Sequence, residues 1–108
     1  MHEKNVEIGY LLDFYGEIIS PRRREVLDMY YNSDMSLAEI SDELGITRQG
    51  VRDLIRKSGS ELLMFEEKLG MARKFREIEA CTDNLQKNPD NREAVIAAAD
   101  RIREIINE

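Results

Sequence analysis

From Val51 onward, apolar or small residues recur at steps of three and four: Val51, Ile55, Ser58, Leu62, Phe65, Leu69, Ala72, Phe75, Ile78, Cys81 and Leu85. Ten steps cover thirty-four residues, a spacing near the coiled-coil period of about 3.5 and far from the two-residue alternation of a half-buried strand. One long helix over about 47–87 is the simplest reading. Gly59 and Gly70 interrupt it, and each costs roughly 1 kcal/mol against alanine in a helix, so a break near either is the alternative. Only two prolines occur in the whole chain, and alternation of β-branched residues is nowhere sustained. The expected fold class is therefore all-α.

Before that stretch, Ile8, Leu11, Leu12, Tyr15, Ile18 and Ile19 form one stripe and predict a helix from about Asn5 to Glu17. Ser20 and Pro21 supply an N-cap and a first-position proline for a second helix, whose buried side is Val26, Leu27, Met29, Tyr30 and Tyr31. Asn32-Ser33-Asp34 reads as a turn. Near the other end, Asn88-Pro89-Asp90 is expected to stop the long helix and cap a last one over 91–107, with Val95, Ala98, Ala99, Ile102, Ile105 and Ile106 on its buried stripe. The expected organisation is a helical bundle over 1–57 and an extension over 58–108, the latter for dimerisation.

Residues 36–57 carry the most specific pattern. Ser36 and Glu39 match a capping box, with Met35 placed to staple onto Ile40. Gly45 stops that helix, Thr47 caps the next, and Ile46 can staple onto Val51. Helix, very short turn, helix follows, with Ile40, Leu44, Val51 and Leu54 where two steeply crossing helices need apolar contact and the small Ser41 at their closest approach. This packing leaves Thr47, Arg48, Gln49, Arg52 and Arg56 on the outer side of the second helix. Guanidinium groups engage phosphates or the O6/N7 edge of guanine, and a glutamine amide matches adenine N6/N7. These five residues are the expected nucleic-acid-binding set. Arg22, Arg23 and Arg24 oppose the dipole of the second helix's first turn, so they either serve a contact or pair with nearby acids.

Composition narrows the function classes. The 108 residues hold one Cys, one His and a net charge of −6, which is wrong for an indiscriminate nucleic-acid coat. The charge is uneven: residues 47–76 carry eight bases against four acids, and residues 77–108 carry four against eight. Cys81 falls on the apolar stripe and reads as a small buried residue, and His2 has no fixed partner in the sequence. No phosphate loop, metal spacing or nucleophile motif is present, so no catalytic residue, cofactor or metal is expected. The longest apolar run, Ala94 to Ala99, is far short of the roughly 20 residues of a membrane span. With no export signal visible at the start, a cytoplasmic protein without membrane insertion is expected.

The stretch from Ser36 to Arg52 resembles the helix-turn-helix of bacterial sigma factors that reads the upstream promoter element. Ser20-Pro21-Arg22-Arg23-Arg24 leading to Tyr30-Tyr31, then Ile46 to Asp53, then Phe65-Glu66-Glu67-Lys68-Leu69-Gly70, is similar to the YlxM family of helix-turn-helix proteins over essentially the whole chain. The resemblance implies a sigma-factor-like bundle with a long helix continuing from the recognition helix and a C-terminal helix. It also implies a link to the bacterial signal recognition particle pathway, through its RNA or protein, with Lys68, Arg73, Lys74 and Arg76 available for that contact. Three functions compete: a DNA-binding regulator, a component of that pathway, and a protein-interaction module that does not bind DNA. A homodimer is expected, formed along the long helix at Leu62 and Phe65.

Overall fold

The computed structural model describes residues 4–108. They form helices α1 (Val6–Tyr15), α2 (Pro21–Leu27), α3 (Leu37–Leu44), α4 (Arg48–Leu69), α5 (Met71–Lys87) and α6 (Arg92–Ile106), and α2 runs on directly into a π-helical turn, Asp28–Asn32. The fold is all-α, as expected. Two compact units divide at one point: the first ends at Leu69 and the second runs Gly70–Glu108. The division expected after residue 57 falls inside α4, because Ser58, Gly59 and Leu62 beyond it are still buried in the first unit.

In the first unit α1, α2 and α3 all pack on α4. The core is Ile8, Leu11, Leu12, Tyr15, Ile19, Val26, Leu27, Tyr30, Ile40, Val51 and Leu62. Ile18, expected on the same stripe, is exposed, because α1 ends at Tyr15 and its register is lost beyond. The N-caps follow the side-chain chemistry: Asn5 Oδ1 accepts from Glu7 N–H at 2.9 Å, and Ser20 Oγ from Arg23 N–H at 3.3 Å. At the π-helical turn, Ser33 N–H reaches the Asp28 carbonyl at 2.9 Å. The chain then reverses through Asp34 at φ 51, and Lys4 ties this reversal down with bonds to the Tyr30 carbonyl and to Asp34 Oδ1.

The expected single helix over 47–87 is two helices. At Gly70 the backbone enters the left-handed region, φ 62 and ψ 23, where glycine carries no steric penalty. Gly59, the other candidate for a break, stays helical. It is buried against Ile8, which a Cβ there would meet at 3.6 Å, so the packing of α1 on α4 holds the helix through it. Leu62 is fully buried and Phe65 stacks 5.9 Å from Tyr15. Leu62 is thus taken up by its own unit's core, and Phe65 is half-buried beside it.

The second unit is a helical pair. Cys81, Ala98 and Ile105 form its buried centre, with Ile78, Leu85 and Ile102 packed around them. The expected stripe on α6 is thus only partly covered: Ala99 is exposed and Ile106 is 67% exposed. Its N-cap is Asn91, whose Oδ1 accepts from Ala94 N–H at 3.1 Å, one residue past the expected Asn88-Pro89-Asp90. Arg73 bridges Glu77 and Glu108, both at 2.9 Å. Among the described residues no helix is long and apolar enough to cross a membrane.

Candidate nucleic-acid interface

The helix-turn-helix is built by reciprocal side-chain bonds. Ser36 Oγ accepts from Glu39 N–H and Glu39 Oε1 accepts from Ser36 N–H, both at 3.1 Å. These satisfy two of the donors a helix start leaves free. Donation from the Ser36 N–H holds the Glu39 carboxyl below the usual carboxylate range. At the other end of α3, Gly45 adopts φ 68 and ψ 32, and its N–H meets the Ser41 carbonyl at 2.9 Å. The Ser41 hydroxyl donates forward to the Ile46 carbonyl. The small size of Ser41 suits the closest approach of the two helices, and its hydroxyl also ties α3 to the turn. Thr47 Oγ1 then accepts from Gly50 N–H at 2.9 Å and starts α4.

Val51 and Ser58 are fully buried, and Leu54 and Ile55 are half-buried between them and the surface. Thr47, Arg48, Gln49, Arg52 and Arg56 are all exposed. Thr47 is the cap of α4, and the other four fall into two pairs with different surroundings. Arg48 and Arg52 border a groove of about 530 Å³ whose other walls are Tyr30, Ser36, Leu37, Ala38 and Ile55. Among the described residues neither guanidinium makes an ion pair or a side-chain hydrogen bond. Gln49 and Arg56 are engaged: Gln49 Nε2 donates to Asp53 Oδ1 at 3.1 Å, and an Arg56 guanidinium nitrogen lies 3.5 Å from the same oxygen.

Asp53 was absent from the expected set. Its spacing carried a signal: residues four and three apart on a helix are surface neighbours, so an acid between Gln49 and Arg56 predicts both contacts. The arginines at the start of α2 prove to be paired. Arg23 meets Glu61 at 3.1 Å, Arg24 meets Asp28 at 3.7 Å and Arg22 lies 4.0 Å from Glu25. Of the bases expected to contact a pathway partner, Lys68, Arg73 and Arg76 are exposed and Lys74 is half-buried, and Arg73 pairs with Glu77 and Glu108 within the second unit. Cys81 is buried, His2 lies outside the described residues, and among those described no three His, Cys, Asp or Glu side chains converge to hold a metal ion.

A family model described as "Putative helix-turn-helix protein, YlxM / p13 like" matches residues 2–102. A UPF0122 protein of Exiguobacterium sibiricum is 34% identical over 102 residues, which are 93% of this chain and 96% of that protein. A UPF0122 protein of Thermoanaerobacter sp. (strain X514) is 46% identical over 77 residues, 71% of this chain and 66% of the relative. One of Acetivibrio thermocellus is 48% identical over 73 residues, 68% of this chain and 62% of the relative. The chain thus spans a little under two thirds of the length of the last two.

Proposed function

The chain belongs to the YlxM / p13-like family of helix-turn-helix proteins, and we propose that it is a nucleic-acid-binding regulatory protein that acts by binding, without catalysis, in the cytoplasm. The observation that carries this reading is the pair of exposed arginines, Arg48 and Arg52, at the start of α4, which pair with no acid among the described residues. A recognition helix enters the major groove with its N-terminal residues against base edges and flanking phosphates. Arg48 and Arg52 lie on the side of α4 that borders the groove beside α3, suited to a phosphate strand, while Thr47, Gln49 and Arg56 complete the contact surface. Each phosphate neutralised adds about −0.9 to the slope of log K against log salt on duplex DNA. Because the net charge is −6, non-specific binding is weak at physiological salt and visible mainly below it.

The signal recognition particle pathway enters this proposal through the family resemblance, with the particle's RNA or protein as the partner. A second reading, a protein-interaction module without DNA, is favoured by the acidic balance and by exposed Leu63, Met64, Phe75, Ile96 and Ile106. The same apolar residues support a homodimer. A gel-shift series with promoter DNA, the particle's RNA and random duplex separates the readings. Retarded duplex at low salt, lost when Arg48, Arg52 and Arg56 are all alanine, supports the first. Binding unchanged by that triple substitution shows that α4 is not the reading helix. Sedimentation at tens of micromolar tests the homodimer, and a single-chain mass rejects it.

A further inference from the structure

We infer that Asp53 is the specificity-determining residue of α4, selecting an amino donor at a base edge and penalising phosphate and guanine. The inference rests on the nucleic-acid reading of this helix. At about 100° per residue, Gln49, Asp53 and Arg56 share the side of α4 opposite buried Val51, Ser58 and Leu62. Arg48 and Arg52 lie toward the groove beside α3. The centre of the exposed surface is therefore occupied by a carboxylate that the two neighbouring donors grip, at 3.1 and 3.5 Å.

Three consequences follow from that geometry. An ionised carboxylate only accepts hydrogen bonds. It thus matches the amino groups of cytosine N4 and adenine N6 in the major groove, and it meets unfavourably the acceptors of guanine, N7 and O6, and any phosphate. By accepting from Gln49 Nε2, Asp53 fixes which end of that amide carries the donors. One N–H and the Oε1 remain free, the pair that adenine N7 and N6 require. Finally, the Asp53 carboxylate lies against the Arg56 guanidinium, so Arg56 contributes little to phosphate binding in the wild-type protein, and Arg48 and Arg52 set the salt dependence.

The test is Asp53→Asn, which keeps the side-chain size and one acceptor while removing the charge. Binding is followed by fluorescence anisotropy on random duplex and on a site selected by the wild-type protein from a random pool, between 50 and 200 mM salt. On random duplex the variant binds more tightly, and its log–log salt slope is steeper by about 0.9, because Arg56 now neutralises a phosphate. Its advantage over wild type therefore shrinks about 3.5-fold across that salt range. The preference for the selected site over random duplex falls. Wild type that binds duplex, with a variant of unchanged slope and unchanged preference, overturns this inference and leaves the nucleic-acid reading standing. If neither protein binds any duplex at 50 mM salt while both melt as folded helical proteins by circular dichroism, the reading fails and the inference with it.

Discussion

Gly45→Ala tests whether the turn between α3 and α4 rests on backbone conformation alone. A Cβ built at Gly45 has nothing within 4 Å, while the backbone sits at φ +68. The substitution therefore meets no neighbour, and its whole cost is that of holding an L-residue in the left-handed region, about 1–2 kcal/mol. Alanine also restricts the unfolded chain, which returns roughly 0.4–1 kcal/mol. The net loss is about 1 kcal/mol, or about 0.5 M in the urea midpoint for a slope near 2 kcal/mol/M. Gly45→Asn is expected to lose less, because asparagine tolerates this conformation. Gly16 is the control with the opposite cause: its backbone is right-handed at φ −59, but a Cβ there would stand 2.6 Å from the Leu12 carbonyl oxygen. Asparagine cannot rescue that position. Urea melts followed at 222 nm compare the four variants. Equal losses for alanine and asparagine at Gly45, or a loss above about 3 kcal/mol, would refute the argument that open space and φ alone govern this turn.

Three further outcomes are expected. Leu62→Ala, at a fully buried side chain, should cost about 2–5 kcal/mol in chemical denaturation. The neighbouring exposed Leu63→Ala should change stability by about 0.5 kcal/mol or less, and equal effects would contradict the assignment of these two faces. Gly59→Ala should stabilise by about 0.5–1 kcal/mol in the same melts, since the new methyl meets Ile8 at ordinary contact distance, 3.6 Å, in a helical backbone. The carboxyls of Glu39 and Asp34 are held low, the first chiefly by the Ser36 N–H and the second by Lys4. Their folded-state pKa values lie below the unfolded ones, so their contribution is complete above the ordinary carboxylate range and is lost as the pH falls through the folded values. Thermal midpoints between pH 7 and 3 should fall less steeply below about pH 5 for Glu39→Gln than for wild type; identical profiles would show that the capping box does not titrate with folding.

Helix starts and stops set by one side chain were legible in the sequence. Ser20, the Ser36–Glu39 box, Gly45 and Thr47 all act where their chemistry predicts, because each bond spans three or four residues. The failures are at positions decided by contacts distant in the chain. Gly59 and Gly70 look alike locally, and only the packing of α1 on α4 separates them. Periodicity marked Leu62 and Phe65 as apolar but not which surface they meet; Tyr15, from the far end of its unit, meets Phe65 and donates to Glu66 Oε1 at 2.6 Å. A stripe near 3.5 residues is as compatible with an intramolecular core as with a partner's helix.

The interface divides the same way. That Thr47, Arg48, Gln49, Arg52 and Arg56 are exposed follows from the buried positions of Val51 and Ser58, which the spacing revealed. Which of the arginines is unpaired depends on acids elsewhere on the surface. Arg22, Arg23 and Arg24 meet acids three, four or many residues away, and Arg56 meets Asp53, whereas Arg48 and Arg52 meet none among the described residues. On the proposed reading this pairing matters more than the number of bases. A net charge of −6 repels every duplex alike, a long-range effect that salt screens within about 10 Å at 0.1 M. The Asp53 carboxylate acts at hydrogen-bond range, where screening is weak, and separates one base edge from another. Because the Arg48 and Arg52 phosphate contacts release counterions, raising salt should reduce affinity for all duplexes, while most of the preference set by Asp53 remains.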